Sequence, residues 1–111
     1  MRKITKEAAR AFTLGRKFKK ANTQVCSGMM LLHGNLIAEW GKDNELFISC
    51  AGWNTPTTRE RINGLLTHLG FPFALFQKDF ALFESKDGKE LDPSGWFSVS
   101  LEGGFTQVAR S

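Results

Sequence analysis

Tyrosine is missing from this chain of 111 residues, and histidine and cysteine occur only twice each. The lack of a phenol removes one acid–base group, and the aromatic content falls on ten phenylalanines and three tryptophans, residues that favour packing. Cys26 and Cys50 form no C-x-x-C pair and have no clustered histidine, so a metal site is not expected. Both fall in strand-like segments and read as small buried hydrophobes. In a simple meander they stand on non-adjacent strands about 10 Å apart, beyond disulfide reach. His33 lies beside a hairpin turn and His68 on the polar side of a helix, with no Ser, His, Asp order around them, so each reads as a surface or turn residue. An enzyme would need Cys26 and His33 to meet without any sequence signal, so neither catalysis nor a cofactor is expected.

Long apolar runs are missing too. Met29-Met30-Leu31-Leu32 is four residues against the roughly 20 of a membrane-spanning helix, and no membrane partner is expected. The basic start leads into an amphipathic segment rather than an apolar h-region, which makes the cytoplasm the expected location. The chain is short enough for one domain, residues 1–111, and its 41% apolar and 23% charged content is that of a folding globular protein.

Acidic residues are scarce at the N-terminus. Glu7 stands alone there among eight bases, giving residues 1–20 a charge of +7 and the remainder −3. Arg10, Arg16, Lys17, Lys19 and Lys20 therefore form a basic patch that could meet phosphates or an acidic protein surface. The alternative is a solvated face whose cations favour the helix C-terminus.

Ile4, Ala8, Ala11, Phe12 and Gly15 recur at helical spacing, which predicts a helix over 5–14 with Thr5 as N-cap and Gly15 as left-handed terminator. Phe18 should anchor the segment leaving it. From Thr23 the pattern turns extended and predicts a β meander over 23–50. Gly34-Asn35 reads as a two-residue loop, pairing Leu32 with Ile37, Leu31 with Ala38, Met30 with Glu39 and Met29 with Trp40. Both faces of that hairpin are then largely apolar, so it is covered on both sides or leaves an apolar face for a partner. Thr57-Thr58-Arg59-Glu60 matches a capping box ahead of Ile62, Leu65, Leu66 and Leu69, and predicts a second helix over 57–69. Gly64 inside it suggests close packing against another backbone. Strands are expected at 73–77, 80–85 and 95–101, with a polar loop at 86–95 and a fraying tail over 102–111. The fold class is thus α+β, in the approximate order α-β-β-β-α-β-β-β, with two helices on a mostly antiparallel sheet. Phe12, Leu46, Ile48, Leu65, Leu66 and Leu69 are expected to share its core.

Helix, three-strand meander and helix together resemble the topology of double-stranded RNA-binding domains. Those carry a lysine-rich motif where this chain has Thr57, Thr58, Arg59, Glu60 and Arg61. In wording, His33-Gly34-Asn35-Leu36-Ile37-Ala38, Ala51-Gly52-Trp53 and the phrase from Asn54 to Asn63 resemble small proteins encoded by bacteriophages, across about the first two thirds of the chain. That resemblance implies a phage accessory protein and assigns no site. Turn and cap chemistry explain much of these phrases. The residues left over, Asn54, Thr55, Arg59 and Arg61, lie at the start of a helix whose free amides favour an anion or acidic partner. The expected function is non-catalytic binding of a host protein or ribonucleoprotein complex, as in anti-defence proteins of the anti-CRISPR type. A nucleic-acid-binding module using the basic helix is the alternative.

Overall fold

A computed structural model describes residues 2–110. Helix α1, Lys3–Leu14, buries Ala8, Ala9, Ala11 and Phe12 and ends as expected on Gly15, whose φ of 68° lets its N–H reach the Ala11 carbonyl. It begins earlier than expected, with Arg2 rather than Thr5 in the N-cap position. Thr5 lies a turn inside, buried, because its hydroxyl has partners on the second helix.

Ten strands follow, all paired antiparallel: β1 (Phe18–Lys20), β2 (Thr23–Cys26), β3 (Met29–Leu32), β4 (Asn35–Trp40), β5 (Leu46–Ile48), β6 (Leu75–Lys78), β7 (Ala81–Glu84), β8 (Glu90–Leu91), β9 (Trp96–Ser100) and β10 (Gly104–Val108). Helix α2, Pro56–His68, separates β5 from β6. One sheet has seven strands in the order β1-β2-β3-β4-β5-β9-β10, and the second is the ribbon β6-β7-β8. The class is α+β with two helices, as the residue patterns imply.

The β3–β4 turn lies one residue earlier than expected. His33 and Gly34, not Gly34 and Asn35, form its turn, with φ of 52° and 79°, the pair of positive dihedrals of a type I′ turn. Leu32 therefore pairs with Asn35 and Leu31 with Leu36, while Met30 pairs with Ala38. Ile37 is the extra residue of a bulge, so the adjacent Ile37 and Ala38 are both buried.

Phe12, Leu46, Ile48, Leu65 and Leu66 share one core with Leu69 partly buried beside them, and Phe73, Leu75, Leu82 and Leu91 extend it beneath the small sheet. Trp40 stacks on Phe12 with ring centroids 5.0 Å apart, and its indole N–H donates to the Phe12 carbonyl at 3.1 Å. The alternate face of β3, β4 and β5 carries half-buried Met29, Leu31, Leu36 and Phe47. Gly41 admits Phe47 on that face, since a Cβ there would lie 2.3 Å from its ring.

Residues 102–110, expected as a fraying tail, supply strand β10; Ser111 lies outside the described residues. The buried Phe105 holds the strand, meeting Phe73 edge-on at 5.1 Å. Arg110 then lies over Phe47 and Trp96, 4.6 and 4.7 Å from their ring centroids, and pairs with Glu39. The polar loop 86–95 also contains strand β8. Its turn is held by buried Glu84, one carboxylate oxygen accepting from the Asp87 and Lys89 amides at 2.8 and 2.9 Å.

Candidate binding site

The loop between β5 and α2 is shaped by short-range bonds. Ala51 and Gly52 have φ of 53° and 84°, and the Trp53 amide donates back to the Cys50 carbonyl at 2.8 Å, closing a tight turn. The Gly52 amide bonds the Pro93 carbonyl at 2.9 Å and ties the loop to the segment before β9. Trp53 leaves this turn 59% exposed.

Helix α2 is capped two residues ahead of the expected box, at Thr55 rather than Thr57. Pro56 occupies the first turn, its fixed φ suits a helix, and it forces the residue before it to be extended. That residue is Thr55 (φ −111°, ψ 157°), which becomes the N-cap, its hydroxyl oxygen accepting from the Thr58 amide at 3.2 Å. The Thr57–Glu60 box does not form. Glu60 turns instead toward α1.

Arg61 is the largest correction at the expected site. It is 2% exposed, because its guanidinium is spent inside the protein. The Nε donates to the Thr23 hydroxyl at 3.0 Å, and one terminal nitrogen donates to the Thr5 hydroxyl at 2.8 Å and to the Glu60 carboxylate. This links α1, β2 and α2, and Arg61 is not available to an outside anion.

Arg59, two residues away, points outward. It donates to the Asn54 side-chain oxygen and to Gln77 Oε1 at 3.2 Å on β6. Asn54 also donates to the Phe80 carbonyl at 3.5 Å, at the tip of the β6–β7 hairpin. Asn63 pairs with the Leu75 backbone through both ends of its amide, at 2.7 and 2.9 Å, so it docks β6 onto α2. The structure thus brings Asn54, Thr55 and Arg59 together and removes Arg61.

The same loop faces the β3–β4 turn across a cleft of about 500 Å³. Leu32, His33, Asn35 and Ile37 line it from the hairpin. From the loop and the first turn of α2 come Trp53, Thr57 and the mutually bonded Thr55 and Thr58 hydroxyls, with Cys50 beneath. The Cys50 thiol is pushed up to about 11 by burial, against a smaller lowering by the Arg59 charge, so it stays protonated and unreactive at neutral pH. Both cysteines are free; Cys26 ends β2 and Cys50 lies beyond β5. His33 and Trp53 were not among the expected binding residues, although the phrases containing both stood out as wording.

The hairpin tip supplies a further residue that the pattern hid. Asp79 and Phe80 have φ of 51° and 66°. In the comparable turns Ser27-Gly28, His33-Gly34 and Ala51-Gly52 the second residue is glycine, whereas here it is a phenylalanine, 92% exposed. Expected as the first residue of a strand, Phe80 is a turn residue. Asp79 was the signal, a turn former between two alternating runs.

The five bases of the N-terminal patch are all exposed: Arg10 on α1, Arg16 and Lys17 after it, Lys19 and Lys20 on β1. Lys20 approaches Glu7 at 3.9 Å, and among the described residues none of the five bonds to the loop before α2. No described helix is long and apolar enough to cross a membrane.

Comparison with known proteins adds the origin. No curated protein and no solved structure matches the chain. A family model described as Kyanoviridae Gp96 protein matches residues 1–105, nearly the whole length and well beyond the phrases that resemble phage proteins. The chain therefore belongs to the Kyanoviridae Gp96 protein family, a family of phage proteins.

Proposed function

We propose that this phage protein is a non-catalytic accessory protein that binds a host protein or ribonucleoprotein complex in the cytoplasm of the infected cell, its narrower role being anti-defence inhibition of the anti-CRISPR type. Phe80 carries the reading. A left-handed backbone costs a non-glycine residue roughly 1–2 kcal/mol, and leaving the side chain in water forgoes a further ~1.5–3 kcal/mol of burial. At this second position three sister turns in the same chain have glycine and avoid the first cost there. Burial of Phe80 by a partner would recover the second. Its surroundings fit such a contact: Phe76 stacks on Phe83 along the same hairpin at 5.7 Å, and Arg59 stands fixed by Asn54 and Gln77. Aromatic and arginine side chains dominate the energetics of protein interfaces. The chain is basic, so imitation of DNA's negative charge is not its route.

The test is affinity capture from host lysate with wild-type protein and Phe80→Gly. The expected result is a host complex retained by wild type and lost by the variant. Equal retention, or no host protein above background, overturns the reading.

The exposure of Arg10, Arg16, Lys17, Lys19 and Lys20 favours a second reading, nucleic-acid binding through the N-terminal segment. Five neutralised phosphates give a log–log salt slope of about −4.5 on duplex DNA. A mobility-shift titration across salt checks it, and absent or salt-insensitive binding removes it.

A further inference from the structure

We infer that the cleft between the β3–β4 turn and the start of α2 is a site for a neutral planar heteroaromatic ligand of the nucleobase or nucleoside class. This does not rest on the Phe80 reading, since Phe80 does not line the cleft. Four observations converge. The volume, about 500 Å³, lies within the ~300–1,000 Å³ of small-molecule sites. Trp53 offers a wall that nothing in the described chain covers fully, and an indole face stacks on any flat base. The floor, Leu32, Ile37 and Cys50, is apolar, as the body of a ring requires.

The fourth is the polar rim. Asn35 and Thr57 each offer a donor and an acceptor, His33 adds two ring nitrogens, and none of the three side chains hydrogen-bonds within the described residues. Thr55 and Thr58, by contrast, are engaged with each other and with the helix cap. Free groups that both donate and accept match the mixed edge of a nucleobase. No lysine, arginine, aspartate or glutamate lines the cleft, which disfavours a buried phosphate or carboxylate. A nucleoside fits that lining better than a nucleotide does. An aromatic side chain of a partner protein would use the indole and the floor while leaving the rim unpaired.

Calorimetric titration of the full chain with adenosine, guanosine, cytidine and uridine tests the assignment, with indole as the probe lacking a mixed polar edge and the matching monophosphates as charged controls. At least one nucleoside is expected to bind saturably and more tightly than both indole and its own monophosphate. Trp53→Ala should weaken it by about tenfold or more, with Trp53→Phe restoring much of the loss. Thr57→Val should weaken the nucleoside and leave indole unchanged. Circular dichroism establishes that each variant is folded, and Trp53, being exposed, tolerates replacement. Three results overturn the inference: no saturable binding below about 5 mM, equal binding by Trp53→Ala, or indole binding as tightly as every nucleoside. The last would give the cleft to an apolar aromatic side chain instead.

Discussion

Arg59 and Arg61 are separated by one residue on the same helix and live in different worlds. Arg61 faces inward and is bonded to Thr5, Thr23 and Glu60, joining three elements from within. Arg59 faces outward and braces the loop before α2 against the β6–β7 hairpin. Around the first, the guanidinium is buried among three bonded side chains and the neighbouring leucines are sealed; around the second, a tryptophan and a phenylalanine are held in water. The difference teaches that α2 is a divider. Its inner side provides the rigidity against which its outer end can present side chains that contribute little to stability.

The sharpest way to break that contrast is Arg61→Ala. Removing one member of a buried network leaves its partners unpaired, so unfolding free energy should fall by about 3–5 kcal/mol in chemical denaturation. Leu66→Ala should lower it by about 2–5 kcal/mol through lost burial and a cavity, and an unchanged melting temperature would mean that α2 is not packed as described. On the alkaline side, the Cys50 thiol is raised from 9.0 to about 11 in the folded protein. The folded state therefore favours the protonated form, and the stability this contributes is present below about pH 9 and lost as pH rises to about 11. Cys50→Ala should flatten that alkaline fall, which denaturation curves at stepped pH will show. Phe80→Gly should leave stability unchanged or raise it by about 1 kcal/mol, because relieved backbone strain outweighs the little burial lost. A clear destabilisation would make Phe80 a structural residue. Arg59→Gln closes the series at within about 0.5 kcal/mol, the ordinary size for a surface change.

Helix periodicity and chain-reversing residues were readable in advance, and so were the class, both helices and the core from Phe12 to Leu66. Local rules govern those features. Competition between local rules was harder to read. Thr57 and Glu60 satisfy the letter of a capping box, yet Pro56 moves the cap to Thr55, and Glu60 is drawn off by Arg61 and Thr5 across the helix pair. The β3–β4 register departs from the expected one because the turn falls on His33-Gly34, a positive φ on histidine that the residue pattern does not signal, and the bulge at Ile37 then shifts the pairing once more. Arg61 reads as a surface cation since arginine is mostly exposed, and its burial depends on Glu60 together with the distant Thr5 and Thr23. The C-terminal strand was hidden by its composition, with Phe105 the one large buried side chain of a short strand that also holds Gly104, Thr106 and Gln107. At the site, Asn54, Thr55 and Arg59 were legible as the entrance to a helix. That the His33 turn lies opposite depends on long-range pairing and could not be read locally.

The open margins of the seven-stranded sheet are unequal, and this bears on how the protein behaves when crowded. Strand β1 leaves one side unpaired and carries Lys19 and Lys20 in the open. A second molecule adding a like strand there would bring like charges together, which discourages fibrous growth from that margin. Strand β10 at the opposite margin has no charged residue from Gly104 to Val108. Self-assembly by strand addition, where it occurs in concentrated samples, would therefore begin at β10, and a lysine in place of the exposed Gln107 would suppress it.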